Sequence, residues 1–203
     1  MNLLVIDLDG TITKSDNLLG FSYYMILKEK KIRFFLIFPL LLFLKIKLIS
    51  NVKFKIWYSK LIFSFQRINY LNECAIKFSY SSYFHINKDI LTFIDEQKDS
   101  TKIILSANYS FIAESIAKLI KIETCLAVNL ATKNGKYTGQ ISGQIPYGKE
   151  KITVFLSFLN NKKYNKTIGI GDSKSDLPIL KYIDEGYLIS INKKTNSTTF
   201  SKV

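Results

Sequence analysis

The chain has 203 residues, 47% of them hydrophobic and 22% charged, enough apolar content for one well-buried domain with a small insert; collagen-like, coiled-coil and disordered classes are excluded. Lys and Arg number 29 against 16 Asp and Glu, so the net charge is +13 and acidic partners are favoured. Cys74 and Cys125 stand far apart without CxxC spacing and His85 is the single histidine, so neither a disulfide framework nor a Cys/His zinc site is expected, and a reducing, cytoplasmic setting fits.

Residues 1–9 run from an apolar stretch straight into two acids, with no basic leader region and no small-residue cleavage site, so no secretory signal is expected. Leu3, Leu4, Val5 and Ile6 form a short continuous apolar run, the pattern of a central strand buried on both faces. From 18 to 84 glycines are few and apolar positions recur at helical spacing around Tyr24, Leu27, Trp57, Leu61 and Phe65, which predicts a helical insert. Within it, 34–44 is uninterrupted apolar sequence flanked by lysines, but a bilayer crossing needs about 20 such residues, so no transmembrane pass is expected. Pro39 predicts two short helices meeting near Phe38, because proline lacks a backbone donor and clashes with the preceding turn.

Further along, Ile103, Ile104 and Leu105 read as a second buried strand, followed by a helical stripe at Ile112, Ala113, Ile116, Ala117, Leu119 and Ile120. Asn134-Gly135 between alternating stretches predicts a hairpin over 133–142, a β-ribbon beside the sheet. A second helix carries Ile152, Phe155, Leu156 and Leu159, and strands follow at 167–170 and 187–191. The polar tail, 193–203, is expected to fray. Strands alternating with helices imply an α/β doubly wound parallel sheet with residues 1–17 and 85–203 as its core and 18–84 as the insert.

Chemistry is expected where strands end. Asp7-Leu8-Asp9-Gly10-Thr11 closes the first strand, and if the extended geometry continues, Asp7 and Asp9 share one small space. Carboxylates that close need a cation or a proton between them, which favours a hard divalent metal such as Mg²⁺. Gly10 allows a sharp turn that the Thr11 hydroxyl can fix, although a plain Asp-Gly turn ending a strand would read the same way. Gly171-Asp172-Ser173-Lys174-Ser175-Asp176 brings two more acids to that sheet edge: Asp172 to complete the metal site with Asp7, and Asp176 either to support it or simply to cap the next helix. Ser106, with Ala107 and Asn108, follows the second strand and opens a helix whose N–H groups suit a phosphate. Lys151 starts the helix before the Asp172 strand, where an ammonium can neutralise both the acids and a phosphoryl oxygen.

Together these strings resemble the haloacid dehalogenase superfamily of phosphohydrolases, which carries DxDGT, a Ser/Thr, a Lys and GDxxxD in this chain order. The insert after Asp9 resembles the helical cap of the subgroup that includes phosphoserine phosphatases. The GKEK string, the NGKYTGQISG ribbon and the aromatic, basic cap look more narrowly like the branch of phosphatidylglycerophosphatase C. The resemblance implies that Asp7 is a nucleophile forming an aspartyl-phosphate and that Asp9 protonates the leaving oxygen and then deprotonates water. It also implies Mg²⁺ held by Asp7, the backbone carbonyl of Asp9 and Asp172, with Thr11, Ser106, Ala107, Asn108 and Lys151 at the substrate and Gly10, Gly171, Ser173 and Asp176 supporting them. In that pattern Lys151, not Lys149, is the motif lysine.

Substrate choice falls to the insert. Between residues 28 and 60, nine basic residues face the single acid Glu29, interleaved with Phe34, Phe35, Phe38, Phe43, Trp57 and Tyr58, the makeup of a surface that meets an anionic bilayer and admits a lipid headgroup. The alternative is an ordinary aromatic core under a solvated basic face, with a small soluble phosphoester such as phosphoserine as substrate. No nucleic-acid recognition string is present, and a binding module has no use for four acids at one sheet edge. No role is expected for His85, and Cys74 and Cys125 are expected to be small buried groups.

Overall fold

The computed structural model describes residues 1–81, 84–192, 195 and 197–203. Strand β1 (Asn2–Ile6) is apolar at every inner position because both its faces are covered. Leu3 and Val5 pack with Ile103, Leu105, Phe155 and Ile179 on one side, and Leu4 and Ile6 join a larger cluster on the other. Around it lie β2 (Ser100–Tyr109), β3 (Thr124–Lys133), β4 (Lys136–Ser142), β5 (Thr167–Gly171), β6 (Glu185–Ile191) and β7 (Thr198–Lys202), in the order β4-β3-β2-β1-β5-β6-β7. The pairs from β3 through β6 are parallel, and each outer strand, β4 and β7, is antiparallel to its neighbour.

The chain moves from β1 to β2 on one side and later returns to β5 on the other, so β1 marks a topological switch point, where open α/β sheets bind ligands. Ile6 stands opposite Ile104 on β2 and Ile170 on β5, so Asp7, the Leu105–Ser106 stretch of β2 and the Gly171–Asp172 end of β5 come to one edge side by side.

The helices are α1 (Asn17–Leu27), α2 (Ile37–Lys45), α3 (Asn51–Tyr58), α4 (Ile68–Ser79), α5 (Lys88–Glu96), α6 (Ser110–Leu119), α7 (Glu150–Leu159) and the short α8 (Leu177–Leu180). A 3₁₀ segment, Ile32–Leu36, precedes α2, and a π turn, Ser59–Phe63, follows α3. Helices α1 to α4 fall in the stretch expected to be a helical insert, and their core is continuous with that of the sheet. Phe21 meets Phe34, Phe78 and Phe111, and Phe63 meets Tyr109 and Phe111, with ring centroids 4.9–5.9 Å apart. Helix α5 has no counterpart among the elements expected from sequence.

Four expectations change. The break in the apolar run falls between the 3₁₀ segment and α2, at Leu36 and Ile37, and Pro39 sits inside the first turn of α2, where its missing N–H has no helical partner to lose. Residues 107–109 continue β2 rather than opening a helix, and α6 starts only at Ser110. The ribbon is the edge of the main sheet itself, turned by Asn134 and Gly135, both at positive φ as a two-residue type I′ connection requires. Residues 198–202 of the expected frayed tail form β7, held by β6 and by the Asp89 carboxylate, which accepts from the Thr198 N–H at 2.7 Å; the part of that tail at 193, 194 and 196 lies outside the described residues. His85 is exposed, Cys74 buried and Cys125 half-buried, and both thiols are free.

Candidate active site

The first acids sit where β1 gives way to a turn. The Asp7 N–H still donates to Ile170 O at 2.9 Å, so the backbone of Asp7 remains tied to β5. Beyond it the chain curls: the N–H groups of Thr11 and Thr13 and the Thr13 hydroxyl all donate to Leu8 O, at 3.3, 3.0 and 3.1 Å. Thr13, not Thr11, therefore fixes the turn with its side chain. The Thr11 hydroxyl is fully buried and approaches Asp172 without completing a hydrogen bond. Gly10 lies at φ +82°, and a Cβ there would collide with the Asp172 carboxylate, so glycine is required by both backbone and space. Gly171 is crowded in the same way by Asp176.

A buried lysine binds two of the loops together. Lys151, in the first turn of α7, places Nζ 2.6 Å from Asp7 Oδ1 and 2.5 Å from Asp176 Oδ1. Lys149 is exposed. Asp176 does not cap α8 with its side chain; its second oxygen accepts from the Ser173 N–H at 3.0 Å and the Ser173 hydroxyl at 2.6 Å. Both Lys151 and Asp176 are 2% exposed. Burial works against the Lys151 charge, yet Asp7 and Asp176 outweigh it and hold the ammonium above its ordinary value. Burial, with the nearby acids Asp176 and Asp9, lifts the Asp7 carboxyl against the opposing pull of Lys151. Asp172 is pushed up to about 6 by burial and by Asp176.

Carboxylate oxygens of Asp7, Asp172 and Asp176 lie within 4.8 Å of one another. The donor set is all oxygen, and acids held toward their neutral form by burial and by one another are what a hard divalent cation relieves, so these residues fit Mg²⁺. Asp7 and Asp172 line the open cavity and are suited to direct ligation. Asp176, saturated by Lys151 and Ser173, is suited to hold its neighbours.

Asp9 points elsewhere because the extended geometry ends at Ile6. Its carboxylate accepts from the Asn17 N–H and Nδ2, both at 2.7 Å, and from Asn108 Nδ2 at 3.0 and 3.2 Å. Burial, with Asp16 nearby, still pushes it up to about 6. Asp9 thus shares the cavity with Asp7 without belonging to the three-acid cluster. Ser106 and Ala107 line the cavity, the Ser106 hydroxyl accepting from the Asn108 N–H at 3.1 Å, whereas Asn108 and Thr11 are buried behind its wall.

The cavity measures about 400 Å³, and α3 closes one side of it with Asn51 and Lys55. Burial pulls the Lys55 ammonium down, against the opposing fields of Asp16, Asp9 and Asp7. Tyr147 joins from the other side and accepts a 2.7 Å hydrogen bond from Asn51 Nδ2. Asn17, Asn51 and Tyr147 stand outside the sequence motifs, and Lys55 is one of nine basic residues that look alike in the sequence. For Asn17 a signal existed: an asparagine opening the first helix after DxDGT is placed to reach back to the turn.

Residues 4–181 match the haloacid dehalogenase-like hydrolases, and the chain belongs to that family. A histidinol-phosphatase of Neisseria meningitidis serogroup C (strain 8013) is 33% identical over 93 residues, 43% of this chain and 41% of that protein, so the match spans about two fifths of the relative's length. Among solved structures, a protein of unknown function from Bordetella pertussis Tohama I superposes with a TM-score of 0.79 at 15% identity, over 90% of this chain and 86% of that one. A phospho-aspartyl intermediate analogue of phosphoserine phosphatase gives 0.60 at 14% identity, over 89% and 82%. These likenesses carry the α/β fold.

Proposed function

We propose that the protein is a Mg²⁺-dependent phosphomonoester hydrolase that works through an aspartyl-phosphate on Asp7, with residues 18–84 as the substrate-selecting cap. The observation that carries this reading is the buried Asp7–Lys151–Asp176 bridge at the switch point, with Asp172 and Asp9 around one cavity. Lys151 occupies Oδ1 of Asp7, which leaves Oδ2 to attack phosphorus. As that O–P bond forms, the ester P–O bond breaks and the leaving oxygen takes the Asp9 proton, available because Asp9 is raised to about 6. Asp9, now a carboxylate held by Asn17 and Asn108, then takes a proton from the water that attacks phosphorus, and inorganic phosphate and free Asp7 are returned. Lys151 and Ser106 are positioned to steady phosphoryl oxygens. Mg²⁺, held by Asp7, Asp172 and the Asp9 carbonyl, would supply the positive charge that lets an anionic nucleophile meet an anionic ester.

The histidinol-phosphatase and phosphoserine phosphatase similarities support a small phosphorylated metabolite as substrate. A second reading, an amphiphilic ester such as phosphatidylglycerophosphate, is favoured by a cleft beside the mouth. Leu44, Leu48, Ile49 and Val52 line it, and it shares Asn51 and Tyr147 with the catalytic cavity. Release of inorganic phosphate from a panel of both ester types, with and without Mg²⁺, tests the two. Activity that survives Asp7→Asn in folded protein refutes the catalytic assignment.

A further inference from the structure

Helix α2 has no polar side chain from Ile37 to Leu44, although only one of its faces is buried. Ile37 and Leu40 point into the core, while Phe38, Leu42 and Ile46 follow one another at helical spacing on the outside, 38%, 55% and 53% exposed. Phe43 lies on the same side, and the ridge extends sideways through ring contacts of Phe38 with Phe35 at 5.9 Å and with Tyr23 at 5.8 Å. A surface helix ordinarily turns a polar face to water, and a continuous apolar ridge of this kind marks an interaction surface.

Charge identifies what the ridge meets. Lys28, Lys30 and Lys31 stand exposed before it and Lys45 and Lys47 after it, and among the described residues none of the five is paired with a carboxylate. The one acid of the region, Glu29, is turned toward the Tyr24 and Tyr70 hydroxyls. A second copy is a poor occupant, because two copies meeting here would bring together two chain segments with an excess of these lysines. An anionic lipid surface satisfies both features, taking the apolar side chains among its acyl chains and the lysines at its headgroups. Among the described residues no helix is long and apolar enough to cross a membrane, so α2 would lie in the interface plane.

We infer that the outer face of α2, with Phe35 and Tyr23, docks the protein on an anionic membrane surface. The cleft lined by Leu44, Lys47 and Leu48 lies at the C-terminal end of the same helix and shares Asn51 and Tyr147 with the cavity. The inference stands apart from the catalytic reading and is tested without turnover.

The experiment is co-sedimentation of the full chain with phosphatidylcholine vesicles, with and without phosphatidylglycerol. Binding is expected on the anionic vesicles alone, weakening as salt rises. The double variant F38S/L42S should lose about tenfold or more in partitioning while keeping the wild-type melting temperature. K28E/K45E should lose binding to the anionic vesicles as well. Equal binding to neutral vesicles, no binding at low salt, or undiminished binding by F38S/L42S would overturn the inference. So would a concentration-dependent dimer that F38S/L42S dissolves, which would assign the ridge to a second copy.

Discussion

Lys151→Ala probes the arrangement at its centre. The ammonium is 2% exposed and sits between Asp7 and Asp176 at 2.6 and 2.5 Å, so solvent screens neither contact. Its removal leaves three crowded carboxylates without their buried counter-charge. Breaking a buried pair by deleting one partner costs about 3–5 kcal/mol, a large share of the about 5–15 kcal/mol that holds a domain together. For a chain of this length, at about 2–4 °C per kcal/mol, melting should fall by roughly 6–20 °C. Because the ammonium is raised above its ordinary 10.5 in the folded state, its contribution is fully present below that value and is lost only as pH climbs past it. The deficit should therefore be plain at neutral pH. It should shrink in acid, where the orphaned carboxylates take up protons. Mg²⁺ should raise the melting temperature of the variant more than that of the wild type, since a cation replaces part of the missing charge. Turnover of an aryl phosphate should drop about 10²- to 10³-fold. Thermal unfolding by circular dichroism at two pH values, with and without Mg²⁺, reads all of this. A variant that melts with the wild type at neutral pH and gains nothing extra from Mg²⁺ would refute the reasoning.

Other outcomes follow from the same geometry. Asp172, raised from 3.8 to about 6, and Asp7, raised as well, lose protons when a cation binds, so Mg²⁺ affinity should increase as pH rises through about 6; calorimetry in buffers of different ionisation enthalpy should detect proton release, and its absence would contradict the metal assignment. In metal-free protein these raised carboxyls stabilise the fold most below 3.8 and lose that contribution as pH rises through the folded values, so melting temperature should decline from acid toward neutral pH and Mg²⁺ should flatten the decline. Asp9, raised to about 6, must be protonated to serve the leaving oxygen, so kcat/KM for an alkyl phosphate should fall above about 6, and less so for an aryl phosphate whose oxygen leaves unaided. Lys55→Ala should raise KM more than it lowers kcat for esters bearing a second anionic group, because Lys55 lines the cavity from α3 and, among the described residues, forms no ion pair with Asp7; equal losses in both would count against a role in substrate selection.

What the sequence discloses depends on the range of the interaction. β1 is readable because burial on both faces imposes an unbroken apolar run, β5 because Ile168 and Ile170 alternate with glycines in a buried stretch, and the hairpin because Asn134-Gly135 meets a local φ requirement. Asp7, Asp172, Asp176 and Lys151 are readable because each follows a strand end or starts a helix at a fixed offset, and parallel topology carries those ends to one edge. Strand β7 is not, since Thr198–Lys202 is polar and owes its extended form to β6 and Asp89. Nor is the length of β2, where the apolar signal stops at Leu105 but pairing with β3 resumes at Tyr109. The orientation of Asp9 depends on Asn17 and Asn108, and Asn108 is 99 positions away. Lys55 becomes distinct from its neighbours only once α3 is folded against the sheet, a contact that no local pattern announces.

The central claim is that Asp7 carries the phosphoryl group. Rapid acid quench during turnover of a phosphomonoester with Mg²⁺, followed by peptide mass spectrometry, tests it directly. One added phosphoryl is expected on the peptide containing Asp7, acid-stable and hydroxylamine-labile, and it should disappear together with phosphate release in Asp7→Asn. Steady phosphate release from the Asp7→Asn protein, or a phosphoryl group trapped on any other residue, would contradict it.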